Sequence, residues 1–186
     1  MNIWHNISEE RITPTDFIAV IEISKGSKKK YEIDKETGFN MLNRVLHTST
    51  QYPSNYGFIP RTISADGDAL DVLVLCSEPL DPMSLVRCYP IGIIEMIDGD
   101  VSDEKIIAVP FKDPYYNMYT DVSKLPKHAS KEIIHFLSIY KDLEEAAKTT
   151  ISPMLGHLAA QKVIKRSKAA YCKEFCTVPN CCNSWV

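Results

Sequence analysis

The sequence predicts an α+β domain in which a small β-barrel comes first and flanking C-terminal helices follow. Three observations lead there. Short β-branched and apolar segments, bounded by Gly, Pro and Asp turns, recur from residue 15 to residue 110. Helix-period apolar spacing appears only later, across residues 130–148. Strands followed by helices, with few helical signals between the strands, mark an α+β chain, and strands of this number and length suit a small barrel.

Taken in order, Phe17-Ile18-Ala19-Val20-Ile21-Glu22-Ile23 is a β-branched apolar run and reads as the first strand. Gly26-Ser27-Lys28-Lys29-Lys30 interrupts it, and Tyr31-Glu32-Ile33 resumes as a second strand closed by Thr37-Gly38. Alternation there sends Lys30 and Glu32 to one face and Tyr31 to the other. Residues 52–60 carry prolines and a glycine and read as an irregular path. Val72-Leu73-Val74-Leu75 is the next strand. Residues 86–94 form another, broken by Pro90 and Gly92, and after a turn at Asp98-Gly99-Asp100 residues 105–109 return. Ile133, Ile134, Phe136, Leu137, Tyr140 and Leu143 then recur at helical spacing. Ser152-Pro153 reads as the cap and first turn of a second helix running toward Lys173.

A length of 186 residues suits one domain with a real core, and 45% apolar with 24% charged residues is ordinary for a globular protein. A net charge of −3 argues against bulk binding to nucleic acid or an anionic membrane. No apolar run approaches a membrane span, and the N-terminal residues lack the pattern of a signal peptide, so the expected location is cytoplasmic. In that compartment Cys76 and Cys88 are expected to be reduced and buried. Cys172, Cys176, Cys181 and Cys182 are expected to form no structural disulfide, and their spacing is a poor match to zinc. The five histidines are scattered and support no histidine metal site.

The chemistry concentrates in Asp66-Gly67-Asp68-Ala69-Leu70-Asp71. Carboxylates at this density repel unless something positive lies between them, and hard oxygen donors suit Mg²⁺, Mn²⁺ or Ca²⁺ better than zinc. The loop is no EF-hand, because Gly67 comes too early and Ser77 stands where the terminal Glu belongs. A second acidic group, Asp98, Asp100, Asp103 and Glu104, precedes Lys105. Lys30, Arg44, Lys105 and Lys141 sit among apolar or aromatic neighbours. Carboxylates that hold metals, together with Lys and Arg, would neutralise a phosphate-rich substrate. A barrel that binds single-stranded nucleic acid through lysines and aromatics is the other reading, and the net charge and the acidic rim oppose it.

The ordered set Lys30-Tyr31-Glu32-Ile33-Asp34-Lys35, Arg44, Tyr52-Pro53-x-Asn55-Tyr56-Gly57, Asp66-Gly67-Asp68-x-x-Asp71, Asp98, Asp103-x-Lys105 and Tyr140-Lys141-Asp142-Leu143-Glu144 resembles the soluble family I inorganic pyrophosphatases of bacterial type. The resemblance spans about residues 17–144 of a single domain over 1–186, and leaves 145–186 as a divergent helix and Cys-rich tail. It implies a five-stranded OB-like barrel. It also implies hydrolysis of pyrophosphate to two orthophosphates by a metal-activated water, with no covalent enzyme intermediate. Several Mg²⁺ ions would serve, with Mn²⁺ a possible substitute. It further implies a homo-oligomer, a hexamer being favoured, with neither nucleic acid nor membrane as partner. By position, Asp66, Asp71 and Asp103 would bind the tight metal pair, and Asp98 and Glu32 the metals that arrive with substrate. Asp68 would take the proton of the attacking water. Lys30, Arg44, Lys105, Tyr140 and Lys141 would grip phosphate beside Tyr56, and Asp68, Tyr56, Lys30 and Arg44 would form the catalytic set. Glu22 would support the site from behind. The chain departs from the pattern at Ala69 and after Glu145, where a tryptophan-containing segment is missing.

Overall fold

Five strands of a mixed sheet form a ring, and both faces of that ring are covered. The computed structural model describes residues 2–99, 101–144 and 149–175, apart from the side chain of Asp98. A short helix α1 (Ile3–Asn6), capped by the Asn2 side chain, precedes β1 (Phe17–Ile23), β2 (Lys29–Ile33), β3 (Asn40–Val45), β4 (Asn55–Ile59), β5 (Leu70–Val74), β6 (Leu85–Asp98) and β7 (Val101–Pro110). Helix α2 (Lys127–Ile139), two small strands β8 (Thr149–Ile151) and β9 (Leu155–Gly156), and helix α3 (His157–Phe175) follow. The sheet runs β1-β4-β5-β7-β6, and β1 pairs with β6 to close it. The β5–β7 pairing is parallel and the others are antiparallel. Thus the α+β class, the five-stranded OB-like ring and the C-terminal helices are as the sequence predicts.

Burial on two faces explains why β5 and β7 read as continuous apolar runs. Leu70, Val72 and Val74 pack with Ile106, Ala108 and the α3 residues Ala160, Val163 and Ile164. The intervening Leu73, Leu75, Ile107 and Val109 pack with Ile133, Phe136 and Leu137 of α2. The functional cavity opens on this α2 side.

Several boundaries differ from the sequence reading, each for a physical reason. Residues 55–59 form strand β4 rather than an irregular path. Gly57 is there because β1 comes so close: a Cβ would lie 1.8 Å from the Val20 carbonyl oxygen. The strand across 86–94 is not broken at Pro90 and Gly92; it carries a bulge there, and β6 continues to Asp98. Helix α2 ends at Ile139 rather than at 148, with Tyr140 capping it and turned into the α2-side core. Ser152-Pro153 does not start α3, because the Ser152 N–H donates to the Glu95 carbonyl 2.9 Å away. The helix begins at His157, whose N–H donates to the Asp121 carboxylate at 2.9 Å. Cys76 and Cys88 are free and buried as expected, whereas Cys172 is disulfide-bonded, against expectation. Asp100, Cys176, Cys181 and Cys182 lie outside the described residues.

Candidate active site

The hexapeptide from Asp66 folds as a turn that delivers its last carboxylate onto a strand. The Ser64 N–H donates to the Asp68 carbonyl (2.8 Å), and Gly67 adopts φ +83°, a backbone that side chains disfavour. Asp66 Oδ1 accepts the Asp68 N–H at 2.9 Å. Asp71 then sits on β5 directly beside Lys105 on β7, through the parallel register. Asp103 lies two residues before Lys105, on the same face of β7.

Lys105 is the centre of the arrangement. Its side chain is 3% exposed, and its Nζ donates to Asp71 Oδ2 at 2.7 Å, Asp103 Oδ1 at 2.8 Å and the Tyr56 hydroxyl at 3.0 Å. The Tyr56 hydroxyl in turn donates to Asp71. Burial opposes the charge on Lys105, but Asp71 and Asp103 outweigh it and hold its pKa above the ordinary value. Burial also raises Asp71, and Asp103 pushes it the same way. Asp66 is raised by burial and by repulsion from Asp68. Glu22, 5% exposed, is pushed up to about 8 by burial and by Asp71, although it accepts the Ile33 N–H at 2.8 Å. Tyr56 is held well above its usual range by burial and Asp71, so its hydroxyl keeps its proton.

These groups line one cavity of about 350 Å³. Glu22, Glu32, Asp66, Asp68, Asp71 and Asp103 supply carboxylates, Lys30, Lys35, Lys105 and Lys141 supply cations, and Tyr52, Tyr56 and Tyr140 supply hydroxyls. Phe58, Phe136 and Leu137 form apolar wall. The β2–β3 hairpin brings in Lys30 and Glu32, which pair at 2.5 Å; Glu32 also accepts from Asn43 at 2.7 Å. Burial raises Glu32, but Lys30 and Asn43 more than offset it, and its pKa is lowered.

One predicted residue, Arg44, is placed outside the lining, and another, Asp98, has its side chain outside those described. Arg44 is absent from the cavity lining; it grips Glu144 through Nε (2.9 Å) and Nη2 (2.8 Å), and the burial that opposes its charge is offset by that carboxylate. Asp98 ends β6 opposite Val101, and its side chain lies outside those described. Trp4, Lys35 and Tyr52 line the cavity without having been assigned a role from sequence. Tyr52 and Lys35 lie within the motif segments, but nothing local links Trp4 to lining residues that all lie beyond it in later elements of the chain.

The donor set fits a hard divalent cation: every candidate ligand is a carboxylate oxygen, and burial together with repulsion, from Asp68 on Asp66 and from Asp103 on Asp71, holds these two carboxyls above their ordinary pKa, a cost that such a cation would reduce. Among the described residues no three His, Cys, Asp or Glu side chains close around a single point, because Lys105 stands between Asp71 and Asp103. Binding would require these carboxylates to turn from Lys105. No helix among the described residues is long and apolar enough to cross a membrane.

Comparison with known proteins agrees with this chemistry. A family model described as inorganic pyrophosphatase matches residues 19–172, so the match continues past residue 144 into α3. Soluble inorganic pyrophosphatase 2 of Chlamydomonas reinhardtii is 45% identical over 168 residues, covering 90% of this chain and 87% of that protein. Soluble inorganic pyrophosphatase PPA1 of Solanum tuberosum is 50% identical over 141 residues, covering 76% and 67%. Among solved structures, the inorganic pyrophosphatase of Thermus thermophilus aligns with a TM-score of 0.87 at 34% identity, covering 92% of this chain and 99% of that one. The enzyme from Helicobacter pylori aligns with a TM-score of 0.83 at 39% identity, covering 86% and 95%. On a match of this length and relatives of this identity, the chain belongs to the soluble inorganic pyrophosphatases, enzymes that hydrolyse pyrophosphate to phosphate with a divalent metal cofactor.

Proposed function

We propose that the chain works as a single-domain, Mg²⁺-dependent pyrophosphatase whose reaction takes place in the cavity around Lys105. The observation that carries this reading is the buried Lys105 held between Asp71 and Asp103 on adjacent parallel strands, in a cavity rich in both carboxylates and lysines. Asp66, Asp71 and Asp103 would hold the tighter Mg²⁺ ions, and Glu32 and Asp98 those that accompany substrate; Mn²⁺ has the same ligand preference. When bound, the cation supplies Lewis acidity, which screens the charge of pyrophosphate and lowers the pKa of nearby water.

The chain's own residues do the rest. Lys30, Lys105, Lys141 and Tyr140 hold phosphate oxygens, and Tyr56, which keeps its proton, donates to phosphate by exchanging Asp71 for a substrate oxygen. Asp68, on the exposed side of the turn, orients the attacking water and accepts its proton. Arg44 reaches phosphate by exchanging Glu144 for a substrate oxygen, a change of partner that its two-pronged grip allows. Glu22, largely protonated at neutral pH, anchors β2 through Ile33 and so places Lys30 and Glu32. The acidic lining opposes a polyanionic nucleic acid strand. A cytoplasmic homo-oligomer, with a hexamer favoured, completes the proposal. Exposed Phe39, Met41, Leu42 and Val45 on the hairpin support self-association, and sedimentation tests it.

The deciding experiment measures phosphate release from pyrophosphate with Mg²⁺, with EDTA, and with ATP in competition. Fast release that needs Mg²⁺ and leaves ATP nearly untouched is expected. No release with Mg²⁺ or Mn²⁺ would overturn the proposal.

A further inference from the structure

The N-terminal segment reaches into the cavity at one point. Trp4 is 4% exposed, yet it is part of the cavity wall. Its indole N–H donates to the Thr62 carbonyl at 3.0 Å, and its own carbonyl accepts from the Arg61 N–H at 3.0 Å. The ring stacks on His5 at 4.8 Å and meets Phe175 edge-on at 5.5 Å, so the N-terminal segment and the end of α3 hold it from behind. Ala69, in the acidic turn, packs against the same cluster. The indole is therefore a fixed platform at the cavity rim.

Lys35 lies on that platform. Its Nζ is 5.7 Å from the Trp4 ring centroid and forms an ion pair with Asp68. Its main-chain carbonyl accepts from Asn2 Nδ2 at 2.7 Å, so the segment around α1 holds Lys35 by both backbone and side chain. Lys35 and Asp68 are both more than half exposed, and a cation–π contact and an ion pair in that setting are weak holds. Pyrophosphate and phosphate carry more charge per oxygen cluster than one carboxylate and would draw the ammonium away. Lys35 differs from Lys30 and Lys105 in exposure: its side chain is more than half exposed, whereas theirs are largely buried, so it is the lysine of this trio that can meet a phosphate group at the outer rim.

We propose that Lys35 is a further phosphate-binding cation of this cavity, and that Trp4 is the positioning residue that keeps its ammonium at the outer rim beside Asp68. The proposal rests on the pyrophosphatase reading for its substrate but not for its ligand chemistry, which is an inorganic phosphate oxyanion. Trp4 precedes the residues matched by the family model, whereas Lys35 and Asp68 lie within them, so the platform alone comes from outside that match.

The test compares wild type, Lys35→Met, Lys35→Arg, Trp4→Leu and the Trp4→Leu/Lys35→Met double variant. Steady-state kinetics on pyrophosphate with Mg²⁺ is read beside calorimetric binding of inorganic phosphate, and circular dichroism verifies the fold. Lys35→Met should raise both KM and the phosphate Kd by about tenfold, the loss of one charge-assisted hydrogen bond, while changing kcat less. Lys35→Arg should restore most of the binding. Trp4→Leu should give part of the Lys35→Met effect and add nothing in the double variant. Unchanged KM and phosphate Kd in a folded Lys35→Met protein would overturn the proposal. A fall in kcat at constant KM would also overturn it, since Lys35 would then act only through Asp68. Additive losses in the double variant would remove the positioning role of Trp4. If wild type released no phosphate, the pyrophosphatase reading would fail, and the binding arm would still decide Lys35.

Discussion

Replacing Glu22 by Gln tests the electrostatics behind the cavity most directly. Glu22 is 5% exposed, faces Asp71, and is pushed from an ordinary 4.5 up to about 8. Between those values the folded protein holds a proton that the unfolded chain has released, so stability is greatest at low pH and falls as pH rises through this window. At about 1.4 kcal/mol for each tenfold change in proton affinity, the full loss is at most roughly 5 kcal/mol above the folded pKa. Gln cannot titrate, and its side-chain carbonyl can still accept the Ile33 N–H. The expected result is that wild type loses stability relative to Glu22→Gln as pH rises from about 5 to about 8, and that Glu22→Gln is the more stable protein at the alkaline end. Urea unfolding in the presence of chelator, at a series of pH values, measures this as a change in midpoint at constant slope. The other carboxylates titrate in both proteins, so the difference between the curves isolates Glu22. Parallel curves at every pH would refute the reasoning, because Glu22 would then be as ionised in the folded state as in the unfolded one.

Gly57→Ala should prevent stable folding or cost roughly 3 kcal/mol or more, since its Cβ would collide with the Val20 carbonyl; thermal melting measures it. Asp113→Ala should cost about 2–4 kcal/mol in urea, because one buried carboxylate accepts from the N–H and hydroxyl of Ser77 and from the N–H groups of Tyr115 and Tyr116. Burial opposes its charge, but those donors hold its pKa down to about 2 from 3.8, so its contribution is complete above 3.8 and disappears as pH falls through 2. Asp113→Asn should flatten that acid limb of the stability curve. Asp66→Asn should weaken Mg²⁺ binding and depress kcat strongly with the fold intact, whereas Lys30→Ala should raise KM with Mg²⁺ affinity retained. Metal titration beside steady-state kinetics separates the two, and equal movement of both parameters in Lys30→Ala would contradict its phosphate role.

What the sequence made legible follows from how each segment is buried. Strands β1 and β5, the middle of β6 and the half of β7 over residues 106–109 are apolar on both faces and stand out as runs. Strand β3 does not: Met41, Leu42, Asn43 and Val45 are exposed, and among the described residues it pairs with β2 alone. Strand β4 was hidden by Pro53, Gly57 and Pro60, residues that read as loop, although Gly57 is what lets β4 pass β1. The start of α3 depends on Asp121, 36 residues earlier, and local cap chemistry at Ser152 pointed to the wrong position. The acidic and basic residues were visible as types and spacings, and their assembly around one cavity is what the structure adds. The partners of those residues were not visible: Glu144 for Arg44, Asn43 for Glu32, and Trp4 for Lys35 all meet through folding alone.

The cavity is also where this fold bears its electrostatic cost. Lys105 is removed from water and Asp71 partly so, on neighbouring strands, and such an ion pair returns little net stability once desolvation is counted. Asp66, Asp71 and Glu22 are all held above their ordinary pKa, so each destabilises the folded chain once ionised. The two apolar faces of the ring offset this, since Val72, Leu73, Ile106 and Ile107 are essentially fully buried. Such a site gains most from whatever brings positive charge to it. A divalent cation would offset the burial and repulsion that raise Asp66 and Asp71, and would free Lys105 to turn toward phosphate. Metal binding and substrate binding are then coupled through the same side chains. On the proposed assignment, Asp71 and Asp103, the carboxylates that would hold the cation, are the ones that otherwise occupy Lys105.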